Sequence, residues 1–233
     1  MKIKKVVALV LSAALIVGVT AGGTFAWLID KSETVTNTFT YGNIDITLDE
    51  TKVDEDGNPV DSDNDGVDDR TTTGNEYKVV PGKTYTKDPV VTVKAGSEKA
   101  VVIIDVKREG GVVTIDGTDY DFDDYILATV DTGFWTAYDD GDDSTELYYA
   151  VVDASAKTTD EALAVLVNDE IKVEPNVSKE MIDALTDTNY PTLSVTAYAV
   201  QYTATDSVVT DTMTDAEKEA ARVAEAWNLA TNP

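Results

Sequence analysis

Three features of this 233-residue chain predict an all-β fold, a jelly-roll-like antiparallel β-sandwich with a few short helices and a C-terminal helix. Runs rich in β-branched residues recur at 90–93, 100–106, 112–115, 147–152 and 193–202, a composition that suits a pleated, half-buried surface. Gly/Asp-rich turns separate them, as in Glu109-Gly110-Gly111 and Asp139-Asp140-Gly141-Asp142-Asp143,. Only three segments read as helix. Many short strands joined by such turns make a two-layer sandwich.

In chain order, Lys2, Lys4 and Lys5 precede an apolar run from Val6 to Val19, and Thr24-Phe25-Ala26 places small residues around a cut between Ala26 and Trp27. Basic, apolar and small regions in that order read as a cleaved signal peptide over 1–26. The competing reading, an uncleaved anchor, meets an apolar run short of the ~20 residues a span needs. Residues 27–36 are then a Thr-rich extended segment with an apolar tip at Trp27, Leu28 and Ile29. Residues 37–233 read as one sandwich domain carrying an acidic insertion at 54–70.

Within that domain Val35, Phe39 and Tyr41 alternate with threonines, and after Gly42 the phase shifts to Ile44, Ile46 and Leu48, which predicts a bulge or bend at the glycine. Both faces of 100–106 and 193–202 are apolar, so these strands belong between two layers. Thr158-Thr159-Asp160-Glu161 reads as a capping box opening a helix over 161–167. Ser178 caps a helix through Leu185, ahead of Pro191. Thr214-Asp215-Ala216-Glu217 opens a helix to about Ala230. Its face of Ala220, Val223, Ala224 and Trp227 is expected to dock on its own sandwich, the alternative being a neighbouring subunit.

The formal charge is −26. Residues 1–26 hold three lysines and no acids, so removing them leaves 18 − 3 = 15 basic against 44 acidic side chains, a net −29. Such a surface excludes the basic footprint of nucleic-acid binding and the Lys/Arg clusters that dock on anionic lipid. It confines membrane contact to the stage before signal cleavage. There is no cysteine, hence no disulfide, and no histidine. Zinc sites draw on Cys and His, and nucleophilic pairs draw on an imidazole base. No zinc site is expected, and the chain reads as non-enzymatic.

Coordination chemistry is concentrated at 61–69. Asp61, Asp63 and Asp65 stand at positions 1, 3 and 5 of a D-x-D-x-D-G loop, Gly66 supplies the turn, the Val67 carbonyl the fourth ligand, and Asp69 position 9,. Position 12, a bidentate Glu in an EF-hand, is Thr72, and no helix pattern flanks the loop. Two readings stand: a weak Ca²⁺ site, with a Kd of about 10⁻⁴–10⁻³ M, or a solvated acidic insertion held out by its own charge.

Three blocks carry a resemblance to a known family: the leader end Gly22-Gly23-Thr24-Phe25-Ala26 with the strand from Asn37 to Leu48, then Val80 to Asp88, then Pro191 to Gln201. They resemble the TasA/camelysin family of exported bacterial proteins. The resemblance implies Sec export, removal of the leader by a dedicated signal peptidase, and a jelly-roll sandwich assembling into extracellular fibres of a biofilm matrix or cell surface. It also implies the assembly step: Trp27, Leu28 and Ile29 added as a strand to the next subunit, a head-to-tail contact that propagates. Self-association, with accessory matrix proteins, is then the expected partnership. Some members of the family are described as zinc endopeptidases, which the missing histidines disfavour here. A monomeric calcium-binding or adhesive surface module is the main alternative, and a secreted metalloendopeptidase the third.

Overall fold

The chain is described by a computed structural model over residues 27–29, 43–54, 56–142 and 144–232. The expected signal peptide with Ala26, positions 30–36 of the expected extended segment, the expected strand at 35–41 and the phase change at Gly42 lie outside the described residues.

Among the described residues fifteen strands follow in chain order: β1 (Trp27–Ile29), β2 (Ile46–Thr51), β3 (Arg70–Thr71), β4 (Glu76–Lys78), β5 (Thr84–Thr86), β6 (Val90–Val93), β7 (Ala100–Glu109), β8 (Val113–Ile115), β9 (Thr118–Tyr120), β10 (Ile126–Leu127), β11 (Thr136–Tyr138), β12 (Leu147–Val152), β13 (Glu161–Ala164), β14 (Glu170–Val173) and β15 (Thr192–Gln201). Three α-helices join them among the described residues: α1 (Phe122–Tyr125), α2 (Lys179–Asp183) and α3 (Asp215–Thr231). Two four-stranded antiparallel sheets, ordered β11-β12-β7-β15 and β13-β6-β2-β3, form the sandwich, and a smaller β10-β14-β5 sheet flanks it.

The centre is the β7–β15 ladder, ten residue pairs from Ala100 opposite Gln201 to Glu109 opposite Thr192. Alternation splits its side chains between two bodies. Val102, Ile104 and Val106, with Val195, Ala197 and Ala199, face Ile46, Leu48, Val91 and Val93 of the opposing sheet. On the reverse face, Val101, Ile103 and Val200 meet Val223, Ala226 and Ala230 of α3. The expected apolar character of both faces is thereby explained: one packs on a sheet, the other on a helix. Trp135 is 1% exposed and satisfies its indole N–H on the Ala164 carbonyl at 2.7 Å, as a buried tryptophan must.

Two of the predicted helices form where their caps place them. Ser178 accepts from the Met181 N–H at the start of α2, and Thr214 and Glu217 make the reciprocal capping box of α3. The helix expected over 161–167 does not form. Residues 161–164 are β13, paired with β6 from Glu161 opposite Val93 to Ala164 opposite Val90, and a 3-10 turn follows at Val167–Asp169. An unfilled edge beside β6 offers four backbone pairs and a buried place for Leu163, which outweighs the modest helix propensity of a short Ala-containing run. The stripe of α3 is also rotated from the expected one. Val223 is buried and Trp227 packs at the margin of the helix-side cluster, but Ala226 and Ala230 are buried while Ala220 and Ala224 are exposed. Trp227 stands edge-on to Tyr198, centroids 5.5 Å apart, and donates to Asp140 Oδ2 at 3.0 Å.

Truncating a side chain at the sheet-facing centre tests this arrangement. Ile104→Ala is expected to cost about 2–5 kcal/mol in urea-induced unfolding, whereas Ala224→Ser on the exposed face of α3 is expected to stay within about 0.5 kcal/mol.

Candidate functional site

Two features share one end of the molecule, a short terminal-strand ladder and the acidic excursion. β1 pairs antiparallel with β4, Trp27 opposite Lys78, Leu28 opposite Tyr77 and Ile29 opposite Glu76. Among the described residues β1 is the sole ladder partner of β4. The segment expected to act as an added strand is therefore placed on a definite edge, within its own chain.

β4 is held from beneath by inward-facing groups. Tyr77 and Tyr85 are 0% and 2% exposed, with ring centroids 5.3 Å apart. The Tyr77 hydroxyl donates to the Thr86 carbonyl at 3.0 Å, and the Tyr85 hydroxyl donates to the Lys78 carbonyl, so β4 is tied to β5 by phenols where no sheet ladder joins them. Burial raises the Tyr77 phenol well above its ordinary range, the Glu50 carboxyl adding to the effect.

Beside Tyr77 lies a polar cluster that composition and motif reading did not single out. Glu50, Asn75 and Lys87 are 4%, 6% and 3% exposed. Lys87 Nζ lies 2.8 Å from Glu50 Oε2, and Asn75 Nδ2 donates to Glu50 Oε1, also at 2.8 Å. Strand alternation held the signal. Ile46, Leu48 and Glu50 share one face of β2, Asn75 and Tyr77 share the inward face entering β4, and Tyr85 and Lys87 continue that of β5,. Above the cluster Arg70 bridges Asp49 at 2.7 Å and Asp88 at 2.5 Å, and Asp88 accepts from the Thr51 N–H and hydroxyl.

The acidic excursion leaves the end of β2 and returns at β3, closed by the Val53–Pro59 bridge and by the Lys52 N–H donating to the Asp69 carbonyl at 2.8 Å. It is a folded loop. Asp54 accepts from the backbone N–H groups of Asp56 and Asn58, each at 2.9 Å, and the Asn58 bonds hold its carboxyl below the ordinary range. Of the five expected ligands, Asp61, Asp63 and Asp65 come together, offering carboxylate oxygens within 4.8 Å of one another. Asp61 also accepts from the Gly66 N–H at 3.0 Å, and Gly66 takes the left-handed φ of +86° that the turn needs. Val67 is exposed, and its N–H donates to Asp65 Oδ1 at 2.8 Å. The Asp69 carboxylate is outside that group of three; it accepts from the Ser62 hydroxyl, which lowers its pKa. Three clustered carboxylates suit a hard cation such as Ca²⁺.

A family model described as camelysin metallo-endopeptidase matches residues 2–61, and the resemblance to the TasA/camelysin family is borne out over that stretch. The match takes in the expected leader, β1, β2 and the first part of the acidic excursion; the blocks at 80–88 and 191–201 lie beyond it. No curated protein and no solved structure matches the chain. No helix among the described residues is long and apolar enough to cross a membrane, which says nothing of strands.

Two glycines in the excursion separate packing from backbone strain. Gly57 has φ +80°, and a Cβ there would overlap the Tyr85 ring; Gly66 has φ +86° with open space around it. Gly57→Ala is expected to cost more than the roughly 1 kcal/mol of left-handed strain expected for Gly66→Ala, by about 1–3 kcal/mol of overpacking, in paired urea titrations.

Proposed function

We propose that this chain is a secreted, non-enzymatic structural subunit that forms extracellular fibres by exchanging its N-terminal strand. After leader removal between Ala26 and Trp27, the Trp27–Ile29 strand leaves β4 of its own chain and takes the same antiparallel place on β4 of the next. The observation that carries this is the β1–β4 ladder: a terminal segment fills an edge that has no other ladder partner among the described residues, and an edge of that kind accepts an equivalent strand from another copy. The contact is heterologous, so it propagates as a filament. The lack of histidine and cysteine supports the non-enzymatic reading, although the matching family is described as a metallo-endopeptidase.

Mature 27–233 is expected to give filaments in negative-stain micrographs, and 37–233 to give folded monomers. Robust filaments from the shorter chain would refute strand exchange. Chelator-sensitive casein cleavage by purified 27–233 would overturn the non-enzymatic reading.

The clustering of Asp61, Asp63 and Asp65 favours a second role, weak Ca²⁺ binding that stiffens the excursion. For a Kd of about 10⁻⁴–10⁻³ M, about 10 mM Ca²⁺ stabilises the fold by about 1.4–2.7 kcal/mol. The melting temperature is expected to rise with Ca²⁺ and to stop responding in Asp61→Asn/Asp63→Asn. An unresponsive parent protein would remove this role and leave the fibre reading intact.

A further inference from the structure

The buried group beside β4 has the composition and connectivity of a self-ligating amide site. A primary amine and a primary carboxamide are held on the two oxygens of one carboxyl: Lys87 Nζ at 2.8 Å from Oε2 and Asn75 Nδ2 at 2.8 Å from Oε1 of Glu50. All three are almost fully buried. Around them stand the Tyr77 ring, its centroid 5.9 Å from Lys87 Nζ, and a cavity of about 20 Å³ whose lining includes Leu48, Pro89 and Val195. We propose that Lys87 and Asn75 join in an intramolecular isopeptide bond, with Glu50 as the catalytic residue that carries the proton.

Glu50 bridges the two groups, one carboxyl oxygen on each. An amine attacks a carboxamide only when unprotonated, and burial works in that direction: it lowers the Lys87 ammonium pKa and raises that of the Glu50 carboxyl. Both displacements favour a neutral amine beside a neutral carboxylic acid over a buried ion pair. The electrophile is polarised from behind, because Asn75 Oδ1 accepts the Val53 N–H at 2.9 Å, a fixed dipole aimed at the oxygen on which negative charge develops. The amide plane is held as well, since Asn75 Nδ2 also donates to the Thr51 carbonyl at 2.8 Å.

The step balances without oxidant or cofactor. The Nζ lone pair attacks Asn75 Cγ and forms the new C–N bond. The proton shed by Nζ passes through the Glu50 carboxyl to Nδ2, the Cγ–Nδ2 bond breaks, and the nitrogen leaves as ammonia. Glu50 ends as it began. The adjoining cavity of about 20 Å³ has room for one water-sized molecule,, the size of the departing group. The product ties the residue before β4 covalently to the residue after β5, closing 75–87 into a ring around both strands. In a chain without cysteine, this supplies an exported fold with a covalent staple that reductants do not open. The inference stands or falls separately from the fibre reading.

Tryptic mapping of the purified full-length protein tests it. Formation of the bond blocks cleavage after Lys87 and links residues 71–78 to residues 84–94, in a species lighter by one ammonia than the sum of the two peptides. That species is expected in the parent protein. It is expected to be absent from Glu50→Gln, where 84–87 and 88–94 appear as separate peptides. Separate, full-mass peptides from the parent protein would overturn the proposal and leave Glu50 and Lys87 as an ordinary buried pair. The parent result decides this even if a variant fails to fold. A linked species in Glu50→Gln would overturn the role of Glu50.

Discussion

β7 and β15 must be buried on both faces while paired along ten residues, and the rest of the molecule is arranged to meet that demand. One set of alternating side chains needs a second sheet over it; the other set needs α3. A slip of one residue in this ladder would send every valine and isoleucine to the opposite body, which is why register here is the most strongly specified property of the fold. β12 extends the same sheet along β7 and β11 follows it. The opposing sheet is narrower in apolar content, and its strands are short. A two-sided centre concentrates burial in few residues, which leaves the surface free to carry most of the 44 acidic side chains.

Those acids are also the turn-formers. Asp54, Asp65, Asp131, Asp139, Asp140, Asp142 and Asp153 each accept a backbone N–H from two residues on. This is the side-chain geometry that closes a turn without a second strand of partners. High net charge and tight connections are thus the same residues seen twice. The carboxylate supplies the bond to the turn, and in Asp140 it also receives the Trp227 indole.

What could be read in advance followed from how local each signal is. The runs at 90–93, 100–106, 147–152 and 193–202 became β6, β7, β12 and β15 because β-branched residues, period and turn boundaries agreed. The caps at Ser178 and Thr214 held for the same reason. The capping box at Thr158 misled because the competing partner, the edge of β6, lies nearly seventy residues away in sequence and leaves no local mark. In α3, alanine on two faces made the stripe ambiguous, and the docking sheet chose Ala226 and Ala230. Of the four expected carboxylate ligands three stand together, and Asp69 is instead bonded by the Ser62 hydroxyl. Glu50, Asn75 and Lys87 were legible in another sense. Each occupies an inward position of an alternating strand, and a polar residue in an apolar register is a signal that composition averages away.

The unequal lengths of two ladders separate two kinetic processes. Three pairs hold β1 to β4, against ten in the β7–β15 ladder, so opening the terminal strand is a small fluctuation within an intact subunit, far from global unfolding. Its closing within one chain is unimolecular and does not depend on concentration, whereas the capture by another chain proposed above would be bimolecular and would. On that proposal the balance between self-closed and joined subunits shifts with the amount of protein present. Dilute chains would stay self-satisfied, and crowded ones would lose that preference without any change in their core.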